Sequence, residues 1–132
     1  MSFSVNMLAV LVAAIAAFAF GAVWYTALSK QWLAALGKTR EQLNVGFTPF
    51  IWSVVVELVM AFVLAVLIGN LPGGTTITTG LTVGLLAWVG FVATTLILNH
   101  RYEGLSWSLT ILDSGHLLGV LLIQGAVIGL FG

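Results

Sequence analysis

Four long apolar stretches, broken by short polar or glycine-rich segments, account for nearly the whole chain. They lie at about 5–25, 49–68, 77–98 and 107–131. Each reaches the ~20 residues that a helix needs to cross a bilayer. The pattern predicts an all-α polytopic membrane protein: one transmembrane domain over 1–132, a bundle of four transmembrane helices. A short interfacial helix is expected between the first and second spans, where Trp32, Leu33 and Leu36 share one face of a segment ended by Gly37.

The breaks carry recognisable punctuation. Asn6 reads as the cap of the first span. Thr39-Arg40-Glu41-Gln42 fits a capping box that opens a short helix before the second span. Thr48-Pro49 reads as a cap followed by proline at the first helical position. Asn70-Leu71-Pro72-Gly73-Gly74 is an uncharged turn. The residues before the first apolar run include no basic cluster, and the run is too long for a signal peptide, so it is read as a true span.

Composition agrees with a lipid environment. Of 132 residues, 61% are hydrophobic and 6% charged, with a mean hydropathy of +1.17. Soluble domains carry roughly 25% charged residues. Zero net charge points to no nucleic-acid partner, and membrane lipids are the expected surroundings. The absence of cysteine excludes disulfides, thiol catalysis and cysteine metal sites.

Charge placement adds direction. The four basic residues are Lys30, Lys38, Arg40 and Arg101, three in the first loop and one in the third. With four spans those loops share a side, and the positive-inside rule puts them in the cytoplasm with both termini outside. Trp24, Tyr25, Trp32 and Trp52 cluster at that boundary, with Tyr102 and Trp107 level with them, as an interfacial belt. Trp88 falls inside the third span and is read as packing. The Asn99–Glu103 stretch reads as a solvated turn, or more sharply as a headgroup patch shared with Lys30.

Small residues recur at helix-packing spacing. Gly80 and Gly84 form GxxxG in the third span, Gly115/Gly119 and Gly125/Gly129 in the fourth, and Ala13, Ala17 and Gly21 repeat the interval in the first. At 100° per residue the four glycines of the fourth span share an arc about 120° wide. Such a stripe serves a neighbouring helix of this chain or of another subunit, and a homo-oligomer is the expected state.

The candidate chemistry is confined to a few side chains. Asp113, His116 and Gln124 fall on the side of the fourth span opposite the glycine arc. Glu57 is the sole charged residue of the second span. Counted from the loop side, Glu57, Asp113 and His116 reach similar depth, about 9–14 Å at 1.5 Å per residue. They are therefore expected to meet inside the bundle, supported by Ser53, Trp88, Thr94, Thr95 and Ser114. Two carboxylates so placed should share a proton or lean on His116 as the balancing cation. The set fits proton-linked binding or transport of a small or lipidic molecule. It fits equally a structural network acting as internal glue. A membrane-embedded enzyme is a third reading, disfavoured because no nucleophile stands in a recognisable motif. One histidine with two carboxylates is a weak metal pattern, and neither a metal nor a cofactor is expected.

The segment "GAVWYTALSKQWLAALG", Gly21 to Gly37, resembles the junction after the first span in the bacterial membrane family called domain of unknown function 1761. Gly21, Trp24, Tyr25, Trp32 and Gly37 carry the likeness, with Glu57, "GLLAWVGF" (Gly84 to Phe91) and Asp113. A proline that tends to follow the Trp-Tyr pair is replaced here by Thr26-Ala27. The resemblance implies a small four-helix protein of the bacterial inner membrane and supplies no reaction. Small multidrug transporters also have four spans, but their membrane glutamate lies in the first, which here has no charge.

Overall fold

The computed structural model describes all residues, Met1–Gly132. Four helices are long and apolar enough to cross a membrane: Met7–Ala27, Thr48–Gly69, Ile77–Tyr102 and Trp107–Leu130. The first span is α1 (Met7–Ala27), followed by the short α2 (Ser29–Leu36). The second is α3 (Thr48–Gly69) and the fourth is α6 (Trp107–Leu130). The third is composite: α4 (Ile77–Ala87), a π-helical segment Trp88–Ala93, and α5 (Thr94–Tyr102).

Local chemistry sets these boundaries. Asn6 Oδ1 accepts the N–H groups of Leu8 and Ala9 at 3.0 and 3.2 Å, and so caps α1. Thr76 and Ser106 do the same for α4 and α6, accepting from Thr79 and Leu109 at 3.1 Å each. Gly37 ends α2 in the left-handed region (φ 71°), where a glycine has no Cβ penalty. The Thr39 segment forms a single 3-10 turn, Arg40–Leu43, with Gln42 Oε1 accepting the Thr39 N–H at 2.8 Å. One boundary shifts by a residue. Thr48 is the first residue of α3 and makes no side-chain cap, and Pro49 occupies the second position. The first four N–H groups of a helix have no internal acceptor, so proline fits there equally well.

No proline interrupts the end of the first span, and the helical ladder therefore continues through a bend. Leu28 N–H donates to Trp24 O and Trp32 N–H to Leu28 O, at 2.9 Å each. The short helix after the first span is thus an extension of α1. Its Trp32, Leu33 and Leu36 are half-buried while Gln31 and Ala34 are exposed.

At one end of the bundle the N-terminus meets the second loop: Ser2 N–H donates to Asn70 Oδ1 at 2.8 Å, and Asn70 Nδ2 to Ser2 O at 2.7 Å. At the other, Ser106 Oγ donates to Ala35 O at 3.2 Å, joining the third loop to α2. Both termini and the second loop therefore lie at one end, and all four basic residues at the other.

The α6 helix occupies the middle, in contact with α1, α3 and α4. The core consists of Val10, Ala13 and Ala14 of α1, Ala61, Leu64, Ala65 and Ile68 of α3, and Leu121 and Ile128 of α6. Lipid gives no hydrophobic drive to helix association, so close contact and dispersion must hold the bundle together. The α4–α6 seam shows how close. A Cβ on Gly80 would strike the carbonyl of Gly125, and one on Gly84 would stand 2.7 Å from Leu121 O. Gly125 and Gly129 in turn face the backbone of Gly80 and Thr76.

The glycine arc of α6 does not serve a single neighbour. Gly125 and Gly129 receive α4, whereas Gly115 and Gly119 receive Trp24 and Phe20 of α1. An arc of 120° is wide enough to span two of the three helices around α6. All six glycines are thus occupied within the chain.

Candidate functional site

Glu57 and the Asp113–His116 pair do not meet. The register of the helices separates them. Phe18 of α1 and Phe50 of α3 pack with ring centroids 6.4 Å apart. Tyr25 of α1 reaches Asp113 of α6, its hydroxyl donating to Oδ1 at 2.7 Å. Phe18 to Tyr25 (18 to 25, seven residues) runs about 10 Å toward the basic end, and Phe50 to Glu57 (50 to 57, seven residues) about 10 Å the other way. Glu57 and Asp113 therefore lie about 16–20 Å apart along the bundle axis, the lower figure following from Gln124, which holds the Glu57 main chain eleven residues beyond Asp113 on α6. Counting each span from its own first residue misjudges the depth because α3 begins level with Phe18, well short of the start of α6. No three His, Cys, Asp or Glu side chains gather into a metal-holding group.

The polar residues thus form two centres. The first is buried. Gln124 is 0% exposed and Glu57 6%, and Gln124 Nε2 donates to the Glu57 main-chain carbonyl at 3.0 Å. Glu57 Oε2 and Gln124 Oε1 are buried without a hydrogen-bond partner.

The second centre surrounds Leu112, Asp113 and Ser114, and three aromatic side chains clamp it. Trp24 Nε1 donates to Leu112 O at 3.1 Å. The Tyr25 hydroxyl bonds Asp113. Trp88 Nε1 donates to Ser114 O at 2.7 Å. Three consecutive residues of α6 each receive a hydrogen bond from another span. Trp88 opens the π-helical segment, so the widened helix turn faces this stretch. Such π-bulges concentrate at functional sites.

His116 sits among rings. Phe20 lies parallel to it (2° between planes, centroids 6.1 Å), and Tyr25 meets it edge-on at 4.9 Å. Trp32 packs on Tyr25 in turn, at 5.4 Å. Gly21 makes the room: a Cβ there would stand 2.7 Å from His116 Nε2.

This second centre is half-buried, and its chemistry is not consumed internally. Asp113 bonds only Tyr25, and its other oxygen is not among the buried unpartnered atoms. The same holds for both ring nitrogens of His116. Gln124 points at α3, and Asp113, eleven residues earlier (124 − 113), lies within about 20° of the same direction on the helix. Gln124 reaches α3, whereas Asp113 reaches α1 through Tyr25.

The other expected side chains are placed as follows. Thr94 Oγ1 donates to Gly90 O at 2.8 Å and Thr95 Oγ1 to Phe91 O, both within their own helix. Ser114 Oγ turns back to Ile111 O. Ser53 is half-buried one turn before Glu57. Helical Ser and Thr readily bond the preceding turn, so these hydroxyls do not converge on either centre. Of the expected belt, Trp52 is 61% exposed, while Trp24 and Tyr25 turn inward onto α6. The third loop is stapled: Arg101 Nη2 donates to Thr110 Oγ1 and Leu105 O at 2.8 and 2.9 Å. Its guanidinium lies 3.6 Å over Trp107, and buried His100 Nδ1 pairs with Thr110 Oγ1 at 2.8 Å.

Sequence reasoning did not assign Phe20, Gly21 and Tyr25 to the site. The small-residue spacing that ends at Gly21 marked the clearance for His116, and the Trp-Tyr pair one turn later marked the clamp.

Comparison with known proteins finds no matching curated protein and no matching solved structure. A family model does match, described as protein of unknown function (DUF1761), over residues 8–129. That match runs from the first turn of α1 to the last turn of α6, and the chain belongs to this family.

Proposed function

We propose that this protein binds, and in doing so transports or presents, a small or lipidic molecule at the Tyr25–Asp113–His116 centre, with proton exchange at Asp113 and His116. One observation carries the reading. An aspartate and a histidine within a membrane bundle keep atoms that are neither bonded inside the chain nor buried. Ionisable groups inside a membrane bundle are costly, and they mark functional positions by default. Histidine can change charge as a ligand enters or leaves. In the proposed orientation the basic end is cytoplasmic, both termini lie outside, and the membrane is the bacterial inner membrane. The site then opens near the cytoplasmic face.

The glue reading is favoured for Glu57 and Gln124 by a separate observation. Both are almost fully buried, and the amide of one holds the main chain of the other.

Trp24 and Trp88 touch the centre and report on it. Replacing Trp52 and Trp107 by Phe removes two distant emitters. Tryptophan emission of that protein in nanodiscs, screened against lipids and metabolites, should respond to a ligand and lose the response with Asp113→Asn. Responses identical in the Asp113→Asn protein would refute the assignment.

A further inference from the structure

We infer that the ligand of the Asp113 centre is an organic cation with an apolar body, its charge set against the Asp113 carboxylate and the rings of Tyr25 and His116. The inference rests on the reading of this centre as a ligand site, and adds the chemical class.

Charge supplies the first argument. Asp113 has one hydrogen bond, from a neutral phenol, and no basic side chain of this chain pairs with it. Lys30, Lys38 and Arg40 are exposed. Arg101 is committed to Thr110, Leu105 and the face of Trp107. With His116 neutral, a half-buried carboxylate with a free oxygen and no lysine or arginine beside it favours a positive partner, and low dielectric strengthens that preference.

Shape and surface supply the second. A connected group of four aromatic side chains begins at the carboxylate. Tyr25 bonds it, His116 meets Tyr25 edge-on, Trp32 packs behind Tyr25, and Phe20 stacks on His116. Aromatic faces attract cations, most strongly where water is scarce. They also suit an apolar body better than a hydrated metal ion, which would want several oxygens. Only one carboxylate is present, in accord with a single positive charge.

Access supplies the third. Asp113 and His116 are half-buried, and one carboxylate oxygen and the ring nitrogens are neither bonded nor fully enclosed, so a ligand can reach them without parting the glycine seams. An anion would meet the carboxylate there unopposed. A neutral lipid would leave the acid without a partner.

The test uses the full chain in nanodiscs with two probes of matched shape, tetraphenylphosphonium and tetraphenylborate, measured by equilibrium dialysis. The phosphonium should bind saturably and more tightly than the borate. Asp113→Asn should weaken phosphonium binding by about tenfold or more, and Asp113→Glu, which keeps the charge, should stay within a few-fold of the wild type. Phosphonium affinity unchanged in Asp113→Asn would overturn the inference. Tighter, Asp113-dependent binding of the borate would overturn the cation class while leaving a ligand site in place. No Asp113-dependent binding of either probe, nor of any compound in the tryptophan screen, would overturn both. Should Asp113→Asn fail to fold, the wild-type preference between the two probes decides alone.

Discussion

The hydroxyl of Tyr25 donates to Oδ1 of Asp113 at 2.7 Å, tying the end of the first span to the first half of the fourth. A hydrogen bond to a charged group contributes ~1.5–3 kcal/mol, about twice a neutral one. Tyr25→Phe should therefore lower the unfolding midpoint in detergent clearly. Asp113→Asn retains an acceptor for the phenol and should cost less. Equal midpoints for wild type and Tyr25→Phe would remove this bond from the list of contacts that hold the bundle.

The α4–α6 seam predicts a contrast between two glycines of one span. Gly80→Ala drives a Cβ into the Gly125 carbonyl, which as backbone cannot swing away. Overpacking of this kind costs ~1–3 kcal/mol. Gly90→Ala meets nothing within 4 Å, and should leave stability unchanged or raise it slightly. Thermal unfolding of the two variants side by side checks the claim.

The two indole clamps should prove individually modest. Trp24→Phe and Trp88→Phe each keep an aromatic ring and lose one donor, to Leu112 O and Ser114 O. Each loss should cost ~0.5–1.5 kcal/mol. Because the two carbonyls lie two residues apart on one helix, the double variant should depart from the sum of the singles. A double-mutant cycle on unfolding free energy measures that coupling.

Glu57→Gln should be tolerated. The substitution keeps size and brings an NH2 donor to a layer where Glu57 Oε2 and Gln124 Oε1 have no partner. Stability should hold or rise, and ligand binding at Asp113, about 16–20 Å away along the axis, should be unaffected. Glu57→Ala instead leaves a buried void and should destabilise by ~2 kcal/mol or more. Unfolding scans and the tryptophan assay on both variants test this.

Much of the architecture could be read from the residues. Four uninterrupted apolar runs of sufficient length admit few solutions in lipid, and Asn6, Gly37 and the Asn70 turn mark ends through local chemistry alone. Asp113 and His116 were legible as polar residues of the fourth span, but the side chains grouped around them were not. Helical angles put Asp113 and Gln124 on one side of α6, but their bonds go to different neighbours, Tyr25 of α1 and Glu57 of α3. Depth did not follow, because the offset between α3 and α6 is set by where Phe50 packs on Phe18, a contact between distant segments. Trp24 and Tyr25 read as belt residues but turn inward for a similar reason: an aromatic near a span end can face lipid or the bundle, and only the neighbouring helix decides.

The separation of Glu57 from the Asp113 centre is the point on which the account stands, and the absence of cysteine makes it directly accessible. Two double variants treated with a short thiol cross-linker in native membranes provide the measurement. Phe18→Cys with Phe50→Cys should cross-link, and Tyr25→Cys with Glu57→Cys should not. Cross-linking of the second pair with failure of the first would place Glu57 beside Asp113 and contradict the two-centre arrangement.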